Sequence, residues 1–221
     1  MSLDEHSTSA RRAFLGKVAV GTLALATAPL LSASAHTVSA ADDDPWLKAL
    51  KGKHKQVFDA PATNGGFPFM FAGTYLQSMT EHYKLTPADI TAMVVVRHFG
   101  LGLVLQDSVW NKYALGKMFN VIDPATKEPA LRNIFYKSKA GDMLNIEASA
   151  DKLLAKGVVI GVCGLAMKVL SGMAGAGAGV KADVAHAEWS AGLLPGVYVL
   201  PSGVLGVAKA QEVGCTYCFA G

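Results

Sequence analysis

Cysteine, charge and membrane-length apolar runs are all scarce in this chain. Three cysteines in 221 residues are too few for a disulfide-built scaffold, and their odd number leaves at least one thiol without a partner inside the monomer. Charged residues reach only 17% and the formal net charge is +3, so the dense basic stripe of a nucleic-acid binder is missing. The 23 glycines follow no three-residue period, which excludes a collagen helix. There is no Gly-x-Ser-x-Gly elbow, no phosphate-binding loop and no internal repeat. Asp89, Asp107 and Asp183 are scattered, so no local carboxylate pair argues for hydrolysis. What is plentiful is apolar: 51% hydrophobic residues exclude a disordered chain, and the length fits one domain plus a tail.

The tail reads as an export signal. Ser9-Ala10-Arg11-Arg12-Ala13-Phe14-Leu15-Gly16-Lys17 resembles a twin-arginine motif, and the weakly apolar Val18 to Leu31 follows it. That stretch is shorter than the ~20 residues a bilayer core demands. Cleavage before His36 or before Ala41 satisfies the small-x-small rule; an uncleaved anchor is the other reading. Residues 1–40 are therefore expected to be a removed signal, 41–54 a linker, and 55–221 the folded domain. Taking Arg11, Arg12, Lys17, Asp4 and Glu5 from totals of 20 and 17 leaves 17 basic against 15 acidic residues in the mature part. The expected location is the periplasm, or another compartment reached by twin-arginine export, with no membrane contact after cleavage. That route carries folded proteins, often with a cofactor loaded, but nothing in the sequence names one.

The mature chain alternates strand and helix signals. Lys55 to Pro61 reads as a first strand and Phe67 to Tyr83 as a helix behind the Asn64-Gly65-Gly66 turn. Ile90 to His98 is a continuous β-branched run without alternation, the mark of a strand buried on both faces. A helix is expected from about Leu101 to Met118, and an irregular excursion from 120 to 142. A helix over Asn145 to Lys156, capped by Gly157, leads to a third strand at Val158 to Val162. Beyond it come a helix at Leu165 to Met173, a flexible Ala-Gly link at 174–179, and a helix at Ala182 to Gly192. A strand at Gly196 to Leu200, a helix capped by Ser202, and a last strand at Cys215 to Phe219 complete the pattern. Strands spaced by helices predict an α/β fold: one three-layer domain with a mainly parallel five-stranded sheet and helices on both faces. Ligands gather beyond the carboxyl ends of such strands, which singles out His98, Cys163 and Pro201-Ser202-Gly203.

Each candidate residue has a chemical and a structural reading. A thiol at a helix start meets unpaired N–H groups and the positive end of the dipole, which favour thiolate; otherwise Cys163 is a small core residue. Gly161 and Gly164 leave room for a ligand or sulfur atom near the backbone. His98 is a general base, a metal or haem ligand, a partner of the Cys163 thiolate, or an imidazole tied to backbone. Trp110 is either a packing or oligomer face or the stacking wall of a pocket. His186, beside Glu188 and Trp189, reads first as a solvent-facing or interfacial residue. Cys215 and Cys218 have C-x-x-C spacing, but residues three apart on a strand point to opposite faces, and one pair lacks two further metal ligands. They are structural or disulfide cysteines, or else a redox or metal pair.

Gly157 through Cys163-Gly164-Leu165-Ala166-Met167, Pro195 to Gly203, and Gln211-Glu212-Val213-Gly214 resemble the DsrE/DsrF-like superfamily. Its members share a strand leading to a cysteine at a helix start, a Pro-Ser-Gly-Val turn, and a Gln-x-x-Gly before the last strand; the strand ending at His98 also fits. The resemblance implies a small α/β domain that associates into homo- or hetero-oligomers, with persulfide sulfur relay through the residue matching Cys163. The chain departs from that pattern in its export signal, in its 120–142 insertion, and in Cys215 and Cys218.

Three functions are therefore expected in turn. The first is sulfur carriage or transfer through Cys163 with His98 assisting proton transfer, and with Gly164, Ser202 and Trp110 around the site. The partners would be a sulfur donor or acceptor protein, or a small thiol, and a second copy of the chain in a homo-oligomer. The second is a small-ligand, metal or haem carrier, and the third an oligomeric interaction protein without chemistry.

Overall fold

The computed structural model describes residues 44–142 and 146–221; the stretch expected to be an export signal, with its two expected cleavage points, lies outside them. Five strands form one all-parallel sheet: β1 (His54–Ala62), β2 (Ile90–Phe99), β3 (Val159–Cys163), β4 (Tyr198–Leu200) and β5 (Thr216–Phe219), in the spatial order β4-β3-β2-β1-β5. Eight α-helices surround it among the described residues: α1 (Pro45–Ala49), α2 (Phe67–Tyr83), α3 (Asp107–Lys112), α4 (Leu115–Met118), α5 (Ala150–Ala155), α6 (Gly164–Gly177), α7 (Ala182–Ala191) and α8 (Gly203–Glu212). The expected α/β architecture is the observed one.

Side-chain alternation divides the core into two layers. Ala92, Val94 and Val96 of β2 join Ile160 and Val162 on one face, under Phe69 and Ala72 of α2 and Met167 and Leu170 of α6. Met93 and Val95 point the other way with Val159 and Leu200, under Ala210 of α8. Burial on both faces is why β2 is apolar without a break from Ala92 to Val96 rather than at alternate positions. The stretch expected as a linker contributes α1, whose Trp46 and Leu47 pack with Leu50 into this second layer.

Three helix expectations change. The helix expected over 145–156 is a 3-10 turn (Ile146–Ala148) and then α5, separated by Ser149 in extended backbone. The predicted helix at 101–118 is a 3-10 turn (Gly100–Val104), an extended pair, then α3 and α4 broken at Ala114, whose φ is 50°. Leu101, Leu103, Val104 and Leu105 are all enclosed, so this segment is apolar because it is surrounded, not because one helix face is buried. The Ala-Gly link at 174–179 is helical to Gly177. Its small residues serve packing: a Cβ at Gly175 would stand 2.8 Å from the Cβ of Ala185, so glycine lets α7 lie close against α6.

Two side chains, Arg132 and Asn133, hold much of the excursion after α4. Arg132 reaches Asp123 (Nε to Oδ2 2.7 Å) and Asp142 (Nη2 to Oδ1 2.6 Å), with a second bond to each carboxylate. The amide of Asn133 donates to the carbonyls of Leu103 and Leu105 (3.3 and 2.8 Å). The Arg132 hydrogen bonds hold the Asp123 carboxyl below the usual range. Burial pushes Asp142 up, but bonds from Arg132 and the Lys139 N–H outweigh it, so its net shift is also downward.

Candidate functional site

β3 and β4 are neighbours in the sheet, with Cys163 opposite Leu200, yet the chain leaves them toward opposite faces. After β3 it enters α6 in the first layer, and after β4 it enters α8 in the second. Such a divergence opens a crevice at the carboxyl ends of the strands. A cavity of about 250 Å³ lies there, walled by Arg97, His98, Cys163, Ser202, Gly203 and apolar side chains of α6 and α8. The predicted convergence of His98, Cys163 and Ser202 is therefore observed.

Cys163 is both the last residue of β3 and the N-cap of α6. Its Sγ accepts from the Ala166 N–H at 3.3 Å, the bond a serine makes in the same position. Ser202 does this for α8, its Oγ accepting from the Leu205 N–H at 3.3 Å. Two helix starts thus face one cavity, each with its positive end forward. The residue is largely covered, at 6% exposure, but it lines the cavity and belongs to neither core layer.

At the end of β2 the ladder slips. Ala60 pairs with Val96 while Ala62 pairs with Phe99, so three steps along β2 match two along β1, and one residue is extra. His98 absorbs the bulge with φ 45°, a left-handed conformation that costs a residue with a Cβ about 1–2 kcal/mol. Bulges of this kind re-aim side chains beside functional sites. Arg97 is gripped by Asp59 of β1 through Nε–Oδ1 at 2.6 Å and Nη2–Oδ2 at 2.9 Å. The Tyr217 hydroxyl donates to the same carboxylate at 3.0 Å. Hydrogen bonding to Asp59 pushes the Arg97 guanidinium further up than usual. The Nη1 of Arg97 lies 2.7 Å from His98 Nδ1. Guanidinium nitrogens only donate, so Nδ1 accepts and the proton of the neutral ring sits on Nε2. His98 is tied to a side chain, not to backbone, and its other ring nitrogen, Nε2, is a donor.

Other sequence candidates fall elsewhere. Trp110 is fully enclosed, its indole N–H donating to the Gly102 carbonyl at 3.1 Å, and it is not among the cavity walls. The space expected beside Gly161 and Gly164 is taken by Leu200: a Cβ at Gly161 would meet its Cδ1 at 2.7 Å, and one at Gly164 its carbonyl oxygen at 2.9 Å. Those glycines bring β4 and its turn close to β3, leaving no room for a ligand. His186 lies on α7, outside the cavity walls.

All three cysteines are free thiols. Cys215 packs in the second core layer and Cys218 against the first, as opposite faces of an extended strand require. Burial pushes both of these thiols up, away from thiolate. Among the described residues no cluster of three His, Cys, Asp or Glu side chains is arranged to hold a metal.

A larger cleft of about 500 Å³ opens at the amino end of the sheet, between α2 and the segment around Glu147 and Gly157. It contains no cysteine or histidine, and its Lys156 and Glu147 pair with each other at 3.2 Å.

The Arg97–Asp59–Tyr217 cluster escaped the sequence reading. Its members are 38 and 158 positions apart, and only the parallel pairing of β2, β1 and β5 unites them. An acidic residue set between the apolar Val57-Phe58 and Ala60-Pro61 of the first strand was the available signal.

No known protein-family profile matches the chain, and no curated protein does. Among solved structures it is similar to the protein of unknown function MTH1491 from Methanobacterium thermoautotrophicum. The identity is 16%, over 75% of this chain and 98% of that one, with a TM-score of 0.41.

Proposed function

We propose that the protein carries or transfers sulfane sulfur as a persulfide on Cys163, as an exported member of the DsrE/DsrF-like group. The observation that carries this reading is the place of the thiol: at the start of α6, on the wall of the crevice between diverging strands. Nucleophilic sulfur chemistry needs an accessible thiolate, and backbone N–H groups with an aligned dipole stabilise that charge. His98 lines the same cavity and offers Nε2–H as a hydrogen-bond donor to bound or departing sulfur. Its expected part in proton transfer becomes donation of a hydrogen bond, because Nδ1 is engaged by Arg97. Ser202 caps the second helix start across the cavity.

Incubation of the folded protein with a sulfane donor is expected to add one sulfur mass to the Cys163 peptide. The adduct should disappear on treatment with a reducing thiol. A Cys163 peptide that stays unmodified under conditions that load free cysteine would reject the reading.

A further inference from the structure

We infer that the sulfur compound received at Cys163 is an organic hydropersulfide with an apolar tail, reacting in its protonated form R–S–SH, rather than an inorganic sulfur anion. The inference rests on the sulfur-carrier reading and adds the class of donor. Beyond Arg97, His98, Cys163 and Ser202, the cavity is walled by Phe99, Leu165, Ala166, Val169, Leu170 and Val204, with Gly203 at the start of α8. Leu165, Val169 and Val204 are 60, 53 and 67% exposed, so the mouth itself is aliphatic. Side chains of this kind leave water at a gain when an apolar group covers them.

Charge gives the second half of the argument. The one cationic side chain in the wall is Arg97, and Asp59 already neutralises it with two hydrogen bonds of 2.6 and 2.9 Å. A dianion such as thiosulfate would find no unpaired cation there and would lose its hydration against aliphatic walls. The positive helix ends meet the sulfur of Cys163 and the hydroxyl of Ser202, so they support charge at the reacting sulfur and not a remote anionic group. In size, 250 Å³ equals about eight water-sized volumes, which suits a small aryl or branched alkyl group attached to two sulfurs.

The step balances without an added oxidant. The Cys163 thiolate attacks the outer sulfur of R–S–SH, a new S–S bond forms to Cys163, and the donor's S–S bond breaks. R–S⁻ leaves with that electron pair and takes a proton from water. The sulfane sulfur passes between two thiolates, with no net oxidation or reduction.

The test compares benzyl hydropersulfide, glutathione persulfide and thiosulfate as donors to the full folded chain. Rates of mass gain on the Cys163 peptide are divided by each donor's rate with N-acetylcysteine. The benzyl donor is expected to exceed the other two by about tenfold or more, and Val169→Asn with Leu165→Asn should narrow that ratio several-fold. Equal normalised rates, or faster loading by thiosulfate, would overturn the donor class while leaving the carrier reading standing. No loading by any donor would remove the carrier reading itself. If instead a second copy covers the aliphatic mouth, gel filtration will show a dimer that Leu165→Asp dissociates, with Cys163 shielded until it does; that result also overturns the inference.

Discussion

In the excursion after α4, one guanidinium holds two carboxylates and an asparagine amide ties the loop to the 3-10 turn behind it. At the carboxyl ends of β2, β3 and β4 a second guanidinium holds one carboxylate and extends its remaining arm to a histidine in left-handed backbone. The first region has Ile134 and Phe135 turned inward. The second leaves leucine and valine at a cavity mouth, with a thiol behind them. Arginine–carboxylate geometry serves both, but its use differs. Around Arg132 it gives an irregular segment a fixed shape in place of secondary structure. Around Arg97 it holds a strained strand end in place while unsatisfied apolar surface and one nucleophile remain available.

Separating the two regions experimentally should give effects of decreasing size. Cys163→Ser is expected to abolish sulfur uptake completely while keeping the α6 cap, since serine is a stronger N-cap than cysteine; unchanged thermal unfolding with no adduct is the result to look for. Arg132→Ala should leave Cys163 reactive in whatever fraction stays folded but cost about 3 kcal/mol or more in urea unfolding, because two carboxylates lose their shared cation. A cost well under 1 kcal/mol would mean the excursion is held by its apolar residues instead.

Acid sharpens the contrast. Asp123 and Asp142 sit below the ordinary carboxylate value of 3.8 in the fold. Their stabilisation is therefore complete above that value and lost as pH falls through it toward the lower folded values. Urea midpoints measured from neutral pH down to about 3 should drop for the native protein. The drop should be shallower in Arg132→Ala, where those carboxyls no longer gain from being charged.

Asp59→Asn weakens the other cluster and is expected to cost about 2 kcal/mol, the scale of a charged hydrogen bond. It should also let His98 sample both tautomers, which ¹⁵N spectra of the ring will report; a ring held wholly as Nε2–H in this variant would show that Asp59 has no part in fixing it. The smallest change, Ser202→Ala, removes the α8 cap for about 1 kcal/mol, measurable as a modest shift in unfolding midpoint.

How much of this could be read without coordinates depends on the range of the interactions. β2 and α2 stood out because a β-branched run and a glycine turn are local signals, and the sheet class followed from the spacing of such elements. The switch between α6 and α8 could be anticipated from Cys163 and Ser202 as strand-end residues. The late start of α3 could not, because Leu101 to Leu105 are buried on all sides and show no period of any kind, and the left-handed backbone at Ala114 falls on a residue with no turn chemistry. The Ala-Gly stretch looked flexible since its composition is the same whether it moves freely or packs tightly; the nearness of Ala185 decides between them. Trp110 looked like a possible pocket wall because helical spacing says which residues share a face and not what that face meets. The Asp59–Arg97–Tyr217 cluster joins three strands that only the fold makes adjacent.

The most direct test sets the three thiols against one another in a single digest. After limiting exposure of the folded protein to a sulfane donor, the account predicts added sulfur on the Cys163 peptide and little on those carrying Cys215 and Cys218. Sulfur spread evenly over all three, or absent from Cys163 while the others are loaded, would contradict it.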